Sequence, residues 1–250
     1  MKYAYTLTII TSLFFACTSY TQEYDSPKTL WGHPDLQGIW QAPNPINYDI
    51  QDHEARRGVP AGYGVVIGNE LPYRSQSYNQ RRVNYDSRET LDPEGKCFMV
   101  GVPRSNYLPY PFEIMQTQDQ IVLTYEYVHS VRNIYLNSEH PGISEIEWYM
   151  GDSRAHWEGD TLVVDVVNLG SNWLDRSGNF YSAGAHIVER YTLIDQDHMN
   201  YHVTIDDPKT FFETVQMEMI LYRRVEEGLR LMEYECNTFF GDERPNALRN

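Results

Sequence analysis

The segment that most constrains the fold is residues 157–165, where two strand-like runs flank the turn sequence Glu-Gly-Asp. Glycine tolerates a positive φ angle, and the β-branched run after it favours an extended chain, so the segment predicts a β-hairpin. The second strand is apolar on both faces, which requires cover on both sides. Asp165 lies among its valines, where a carboxylate must be paired or used.

Similar runs continue through the second half of the chain. Nine strands are predicted, at residues 112–117, 120–128, 130–136, 147–157, 161–169, 185–194, 200–206, 211–223 and 229–236. Most are joined by short breaks that carry turn residues, and short connections favour an antiparallel meander. We therefore expect an all-β fold, an antiparallel lipocalin-like β-barrel or half-barrel, with a two-sheet sandwich as the alternative.

Residues 31–111 contain many prolines, glycines and tyrosines but few periodic runs. A structureless loop of that length would be unusual in a compact domain. We expect this long irregular N-terminal segment to wrap around the barrel, with short strands or helical turns of its own, so that 31–250 form one domain with its barrel strands in 112–236. The arginines and tyrosines of the wrap either line a polar ligand cleft or simply attach the segment to the barrel.

Residues 1–16 are typical of an export signal, because Lys2 precedes an apolar run too short to span a bilayer. The ending at Ala16 and Cys17 predicts a lipoprotein signal in which Cys17 is lipidated, and a plain secreted or periplasmic protein is the alternative. Residues 17–30 would form a tether. We expect an exported protein, an outer-membrane lipoprotein or a periplasmic protein, whose only contact with the membrane is that lipid anchor.

Net charge narrows the classes of binding partner, and the cysteine content predicts a disulfide. The formal net charge of −15 disfavours nucleic acid and anionic membranes, whereas local arginines leave an anionic ligand open. Once Cys17 is lipidated, Cys97 and Cys236 remain, and an even pair in an exported chain predicts a disulfide. The spacing of cysteine and histidine indicates no metal site, and we expect no cofactor.

Strand alternation identifies ionisable residues on apolar faces. Four of them stand alone on such a face, namely Asp165, Arg132, Glu189 and Glu213. An unpaired buried charge costs several kcal/mol, so these residues predict a polar pocket inside the barrel. A structural ion pair between Arg132 and Glu189 is the alternative.

The groups suited to proton transfer near neutral pH are His129 and His186, for each of which a structural histidine is the alternative. Tyr125 is a candidate acid, and Glu189 would orient a histidine or Arg132. We expect His129, Arg132, His186 and Glu189 to line one cavity, provided that the turn at residues 128–130 reverses the pleat between His129 and Arg132. His140 lies in a predicted turn and is interpreted as solvated.

Several motifs together resemble a family of exported bacterial β-rich proteins. They are PDLxGxW at residues 34–40, WEGDTLVVD at 157–165, HxVER at 186–190 and DDPK at 206–209. The resemblance covers nearly all of residues 31–237, and one branch of the family looks like a dehydratase of marine polysaccharide-utilisation systems that acts on ulvan oligosaccharides.

The resemblance implies a lyase that removes water from unsaturated oligosaccharides containing uronic acid. His129, His186, Tyr125 and Glu189 would then be catalytic. Arg132 would hold the uronate carboxylate, and Arg104, Trp173 and Asp175 would bind the rest of the substrate. The alternatives are a glycan hydrolase or isomerase that uses the same pocket, and a surface lipoprotein that binds a sugar or an apolar ligand without chemistry.

Overall fold

The computed structural model describes residues 24–43, 46–56, 59–142, 146–234 and 236. The predicted export signal, the lipidation site Cys17 and the first half of the predicted tether lie outside the described residues. Among the described residues, no helix is both long and apolar enough to cross a membrane.

Within the described residues, nine strands close into one barrel in the order β1-β11-β10-β9-β6-β5-β4-β3-β2. Their bounds are β1 Gly38–Gln41, β2 Phe112–Gln116, β3 Gln120–Tyr125, β4 Val131–Leu136, β5 Asp152–Glu158, β6 Thr161–Val167, β9 His186–Leu193, β10 His198–Asp206 and β11 Val215–Arg223. A separate two-stranded sheet joins β7 (Asn172–Trp173) and β8 (Phe180–Tyr181). The predicted all-β barrel is therefore confirmed.

The prediction that every strand pair is antiparallel is wrong at one place. Strands β4 and β5 run parallel, with Ile134 opposite Ser153 and Leu136 opposite Ala155. A parallel pair needs a long crossover connection, and residues 137–151 supply it. The strand predicted at 147–157 accordingly begins only at Asp152.

The barrel is closed by β1, a short strand of the wrap. It pairs with β2 on one side and with β11 on the other. Because β1 occupies that edge of β11, the strand predicted at residues 229–236 does not form. The described part of that segment instead has one isolated bridge, between Tyr234 and Tyr127.

The wrap contains two helices, α1 (Ser75–Asp86) and α2 (Arg88–Leu91), and two short 3₁₀ turns, Glu94–Lys96 and Arg104–Tyr107. Helix α1 has no apolar face to reveal it in the sequence, because Asn84 is its one buried residue. Apolar side chains of the wrap nevertheless join those of the barrel in one hydrophobic core, among them Leu36, Ile50 and Leu71.

A disulfide joins Cys97 of the wrap to Cys236 beyond the last strand, with 5.5 Å between the two Cα atoms. The bond links residues 139 positions apart, and a disulfide that closes so long a loop typically contributes about 2–4 kcal/mol. It lies beside a small apolar cluster of Val100, Leu108 and Tyr127.

Candidate functional site

Arg132 and Glu189 face the barrel interior and form an ion pair there. Arg132 Nη1 donates to Glu189 Oε1 at 3.1 Å, and a second bond joins Nη2 to Oε2. Asn106, Tyr191 and Tyr201 also donate to Glu189. Both partners are at most 1% exposed. This is the structural ion pair that the sequence left open, and of its two partners Arg132 also lines a cleft at the start of β4, described below.

Tyr125 belongs to the same sealed network. Its hydroxyl donates to Asn106 Oδ1 at 2.7 Å, and burial raises the pKa of Tyr125. Burial opposes the charge on Arg132, but the neighbouring Glu189 outweighs it and raises the pKa of the guanidinium. A buried tyrosine beside a buried, fully hydrogen-bonded ion pair suits a structural role.

The prediction that His129, Arg132, His186 and Glu189 line one cavity is wrong. His129 is exposed in the turn after β3 and has a positive φ of 51°. His186 lies on the outer face of β9, because alternation separates it from the inward-facing Ile187 and Glu189. Glu213, predicted to face the same pocket, is exposed ahead of β11.

Most of the residues predicted to bind substrate are buried and have structural partners instead. Arg104 is fully buried and is held by Asp92 and Glu94. Asp175 is also fully buried and accepts hydrogen bonds from the backbone of Ile50 and Ser177. Burial and the nearby Asp49 raise the pKa of Asp175 to about 7. Trp173 is half-buried in β7.

A cluster of ionisable groups lies on the outer face of the barrel, and we call it the histidine–aspartate cluster. It consists of His140, Asp152, Asp165 and His186. His140 Nε2 and Asp165 Oδ1 are 2.8 Å apart, and His186 Nε2 and Asp165 Oδ2 are 2.7 Å apart. His140 Nδ1 also bonds Asp152 Oδ2. The expectation that His140 is merely solvated is wrong. Asp165 is paired, as expected, but the prediction that it faces a pocket inside the barrel is wrong, because it lies on the outward face of β6.

The barrel topology explains this assembly. Asp152 faces outward from β5, Asp165 from β6 and His186 from β9, and these three strands are neighbours in the sheet. His140 comes from the crossover connection between β4 and β5. Alternation could therefore have grouped three of the four residues, but His140 depends on a parallel crossover that periodicity does not reveal.

The two histidines differ in hydrogen-bond geometry. Both ring nitrogens of His140 face carboxylate oxygens, whereas His186 has one nitrogen engaged. His186 directs Nε2–H to Asp165, which leaves Nδ1 as an acceptor when the ring is neutral. No described residue bonds that Nδ1, and the side chain of His186 is 44% exposed.

Asp152 is held as a carboxylate. Burial opposes its ionisation, but hydrogen bonds from Arg154 and His140 outweigh burial and lower the pKa of Asp152. Arg154 binds both carboxylate oxygens, at 2.9 and 2.8 Å, and its guanidinium lies 4.7 Å from the centre of the Tyr135 ring.

Asp152 also lines a cleft of about 430 Å³, within the ~300–1,000 Å³ typical of small-ligand sites. We call it the aromatic cleft, and its main lining residues are Met99, Tyr135, Glu147, Trp148, Tyr149 and Asp152. It opens at the start of β4, because the parallel pairing with β5 begins only at Ile134. Since Asp152 bonds His140, the cleft and the histidine–aspartate cluster are contiguous.

The exposed aromatics of the cleft stand on a fixed backbone. Trp148 N donates to Asn168 O at 2.9 Å. Gly151 has a φ of 65°, and a Cβ there would lie 2.6 Å from Val166 Cγ1. A Cβ on Gly101 would lie 2.4 Å from Tyr149 O. Exposed aromatic side chains on so constrained a segment are prepared to bind a ligand.

Across the described residues, no group of three or more histidine, cysteine, aspartate or glutamate side chains is arranged to hold a metal ion. No protein-family model matches the sequence, and a search of curated proteins found no match.

Proposed function

We propose that the protein is a lyase of the dehydratase type, which removes water from an unsaturated oligosaccharide containing uronic acid at the aromatic cleft. The observation that carries the proposal is the hydrogen-bonded series His186, Asp165, His140 and Asp152 beside that cleft. It combines one histidine whose second ring nitrogen is accessible with one histidine whose two ring nitrogens both face carboxylates.

The reaction needs one base and one acid. Nδ1 of His186 would take a proton from a saturated ring carbon of the sugar, and the electron pair left behind would form a carbon–carbon double bond to the adjacent carbon. The neighbouring carbon–oxygen bond would break, and His140 would protonate the departing hydroxyl to give water. Solvent would then return His186 and His140 to their starting states.

Asp165 is the positioning residue in this scheme. It receives Nε2–H from His186, which keeps Nδ1 free to accept a proton and favours the charged ring that results. The same carboxylate holds His140. The guanidinium of Arg154 would attract the uronate carboxylate and stabilise the negative charge that develops as the proton leaves.

Trp148 and Tyr149 would support the sugar rings. They are 38% and 51% exposed, and flat aromatic faces with polar edges suit the apolar faces and hydroxyls of a sugar. The carboxylate of Glu147 at the same cleft can accept hydrogen bonds from sugar hydroxyls.

The resemblance to exported bacterial proteins supports ulvan as the source of the oligosaccharide. It also agrees with an exported location, as an outer-membrane lipoprotein anchored through Cys17 or as a periplasmic protein. The acidic overall charge supports a small-molecule partner over nucleic acid.

A second candidate is a surface protein that binds such oligosaccharides without converting them. One observation favours it, because both nitrogens of His140 are engaged by carboxylates and the ring would have to release Asp152 or Asp165 to donate to a substrate. A hydrolase or isomerase at the same cleft would use the same groups.

One experiment separates these candidates. The purified protein is incubated with unsaturated ulvan oligosaccharides made by a polysaccharide lyase, and the masses of the products are measured by mass spectrometry. We expect the loss of one water. A gain of one water would indicate a hydrolase, a new isomer of unchanged mass an isomerase, and saturable binding without conversion the non-catalytic protein.

A further inference from the structure

A second cleft, of about 380 Å³, is lined by residues of the wrap and by the segment that carries Cys236 of the disulfide. We call it the Arg–Tyr cleft, and its main lining residues are Tyr48, Arg56, Arg88, Tyr110, Arg176 and Tyr234. It shares no lining residue with the aromatic cleft. Nothing in the scheme above uses it.

The floor of the Arg–Tyr cleft is already neutralised. Arg104 binds Asp92 and Glu94, and Arg176 makes two bonds to Glu94. Burial opposes the ionisation of Glu94, but bonds from Arg176 and the charge of Arg104 outweigh it and lower its pKa. These charges balance one another and leave no site for a ligand on the floor itself.

Arginine side chains are concentrated at one edge of this cleft, and the lining carboxylate Glu89 forms no ion pair with them in the described residues. Three guanidinium groups surround the ring of Tyr85, at 5.5 Å for Arg56, 5.6 Å for Arg81 and 4.3 Å for Arg88. In the described residues neither Arg81 nor Arg88 forms an ion pair, and Arg56 has one, at 3.3 Å to Asp49.

This arrangement is unusual in a chain of net charge −15. Carboxylates are abundant, yet two of the three clustered arginines lack one. Like charges held close together repel each other unless an anion lies between them. The guanidinium group is also the side chain best suited to two-point binding of carboxylate or sulfate oxygens.

Tyrosine rings form the wall beside this charge. Tyr110 lies 4.6 Å from Tyr234 and 5.5 Å from Tyr127, measured between ring centres. The disulfide of Cys236 fixes the segment that carries Tyr234. A tyrosine wall anchored by the disulfide, next to clustered guanidinium groups, matches a sugar ring that bears an anionic substituent.

We propose that the Arg–Tyr cleft is a second saccharide site, which holds a sugar unit carrying a carboxylate or a sulfate. Arg88 and Arg56 bind the anionic group, and Tyr48 and Tyr110 contact the ring. The site is separate from the histidine–aspartate cluster, so its occupancy does not depend on the reaction proposed there.

The test measures binding of trigalacturonic acid, maltotriose and sodium sulfate to the intact protein by isothermal titration calorimetry. His186→Ala is used as a second background, so that failure of the proposed reaction leaves the outcome readable. We expect trigalacturonic acid to bind more tightly than maltotriose, with an affinity that falls as salt rises. Arg88→Gln should weaken its binding roughly 10-fold or more, as expected for a lost charge-assisted hydrogen bond.

Two matched variants control the test. Arg82→Gln removes an exposed arginine of α1 that does not line the cleft, and it should leave the affinity unchanged. Glu89→Gln removes an exposed lining carboxylate that forms no ion pair in the described residues, and it should strengthen binding of trigalacturonic acid. Thermal melting of each variant confirms that it is folded.

Three results would overturn the proposal. They are equal binding of maltotriose and trigalacturonic acid, equal effects of Arg88→Gln and Arg82→Gln, and sulfate binding as tight as that of the sugar. The last would mean an anion site without sugar recognition.

Discussion

The Arg132–Glu189 pair inside the barrel and the histidine–aspartate cluster outside it use similar groups in opposite ways. Inside, Glu189 receives bonds from four side chains and has no solvent access. Outside, Asp165 is hydrogen-bonded to two histidines that remain partly exposed. A complete buried network stabilises one geometry, whereas a half-open network retains an acceptor that can exchange protons with a ligand.

The largest effect should come from breaking the interior pair. Glu189→Gln leaves Arg132 charged without its carboxylate, and we expect a loss of about 3–5 kcal/mol in the free energy of unfolding, measured by urea denaturation. The double variant Arg132→Met with Glu189→Leu is the control, and it should recover most of the loss. Equal destabilisation by the single and the double variant would refute the role of charge.

His186→Ala should strongly lower turnover and hardly change the free energy of unfolding. Removal of a positioned general base typically lowers kcat by about 10²–10⁴-fold, whereas an exposed ion pair contributes only about 0–1 kcal/mol to folding. Turnover of ulvan oligosaccharides and urea denaturation measure the two quantities. His129→Ala removes an exposed histidine that lies outside the histidine–aspartate cluster, and it should keep wild-type turnover. Normal turnover in His186→Ala would exclude it as the base.

Trp148→Ala tests whether the outer site includes the aromatic cleft. Loss of the stacking surface should raise KM roughly 2- to 10-fold, in keeping with the ~0.5–1.5 kcal/mol of an aromatic contact beyond its buried area, with little change in kcat. Trp31→Ala removes a tryptophan of similar exposure that does not line the cleft. The same change in KM for both variants would show that the aromatic cleft does not bind the substrate.

The smallest effect concerns pH. The folded protein lowers the pKa of Asp152 below its ordinary value of 3.8, so its contribution to stability is complete above that value and is lost as pH falls through the lowered pKa. The melting temperature of the wild type should therefore fall towards that of Asp152→Asn below pH 3.8. Parallel curves from pH 7 to acid would show that Asp152 makes no such contribution.

Sequence reasoning located the barrel because alternation depends only on neighbouring residues and burial. The strands β6 and β9, and the inward position of Glu189, follow directly from it. Helix α1 was missed because its surface is polar all round. His140 was misjudged because its partners depend on how the chain crosses between strands, and His129 because a turn with positive φ carries it into solvent.

The number of strands makes the parallel pair unavoidable. Around a closed ring, antiparallel neighbours must alternate up and down, and an odd count such as the nine strands of the described residues cannot complete that alternation. One junction must join two strands of the same direction, and the chain must travel the height of the barrel to reach it. The segment that makes this journey, residues 137–151, carries His140, Trp148 and Tyr149 onto the outer wall. An odd strand number thus requires one crossover connection, and this connection adds His140 and Trp148 to the three site residues that the strands β5, β6 and β9 supply.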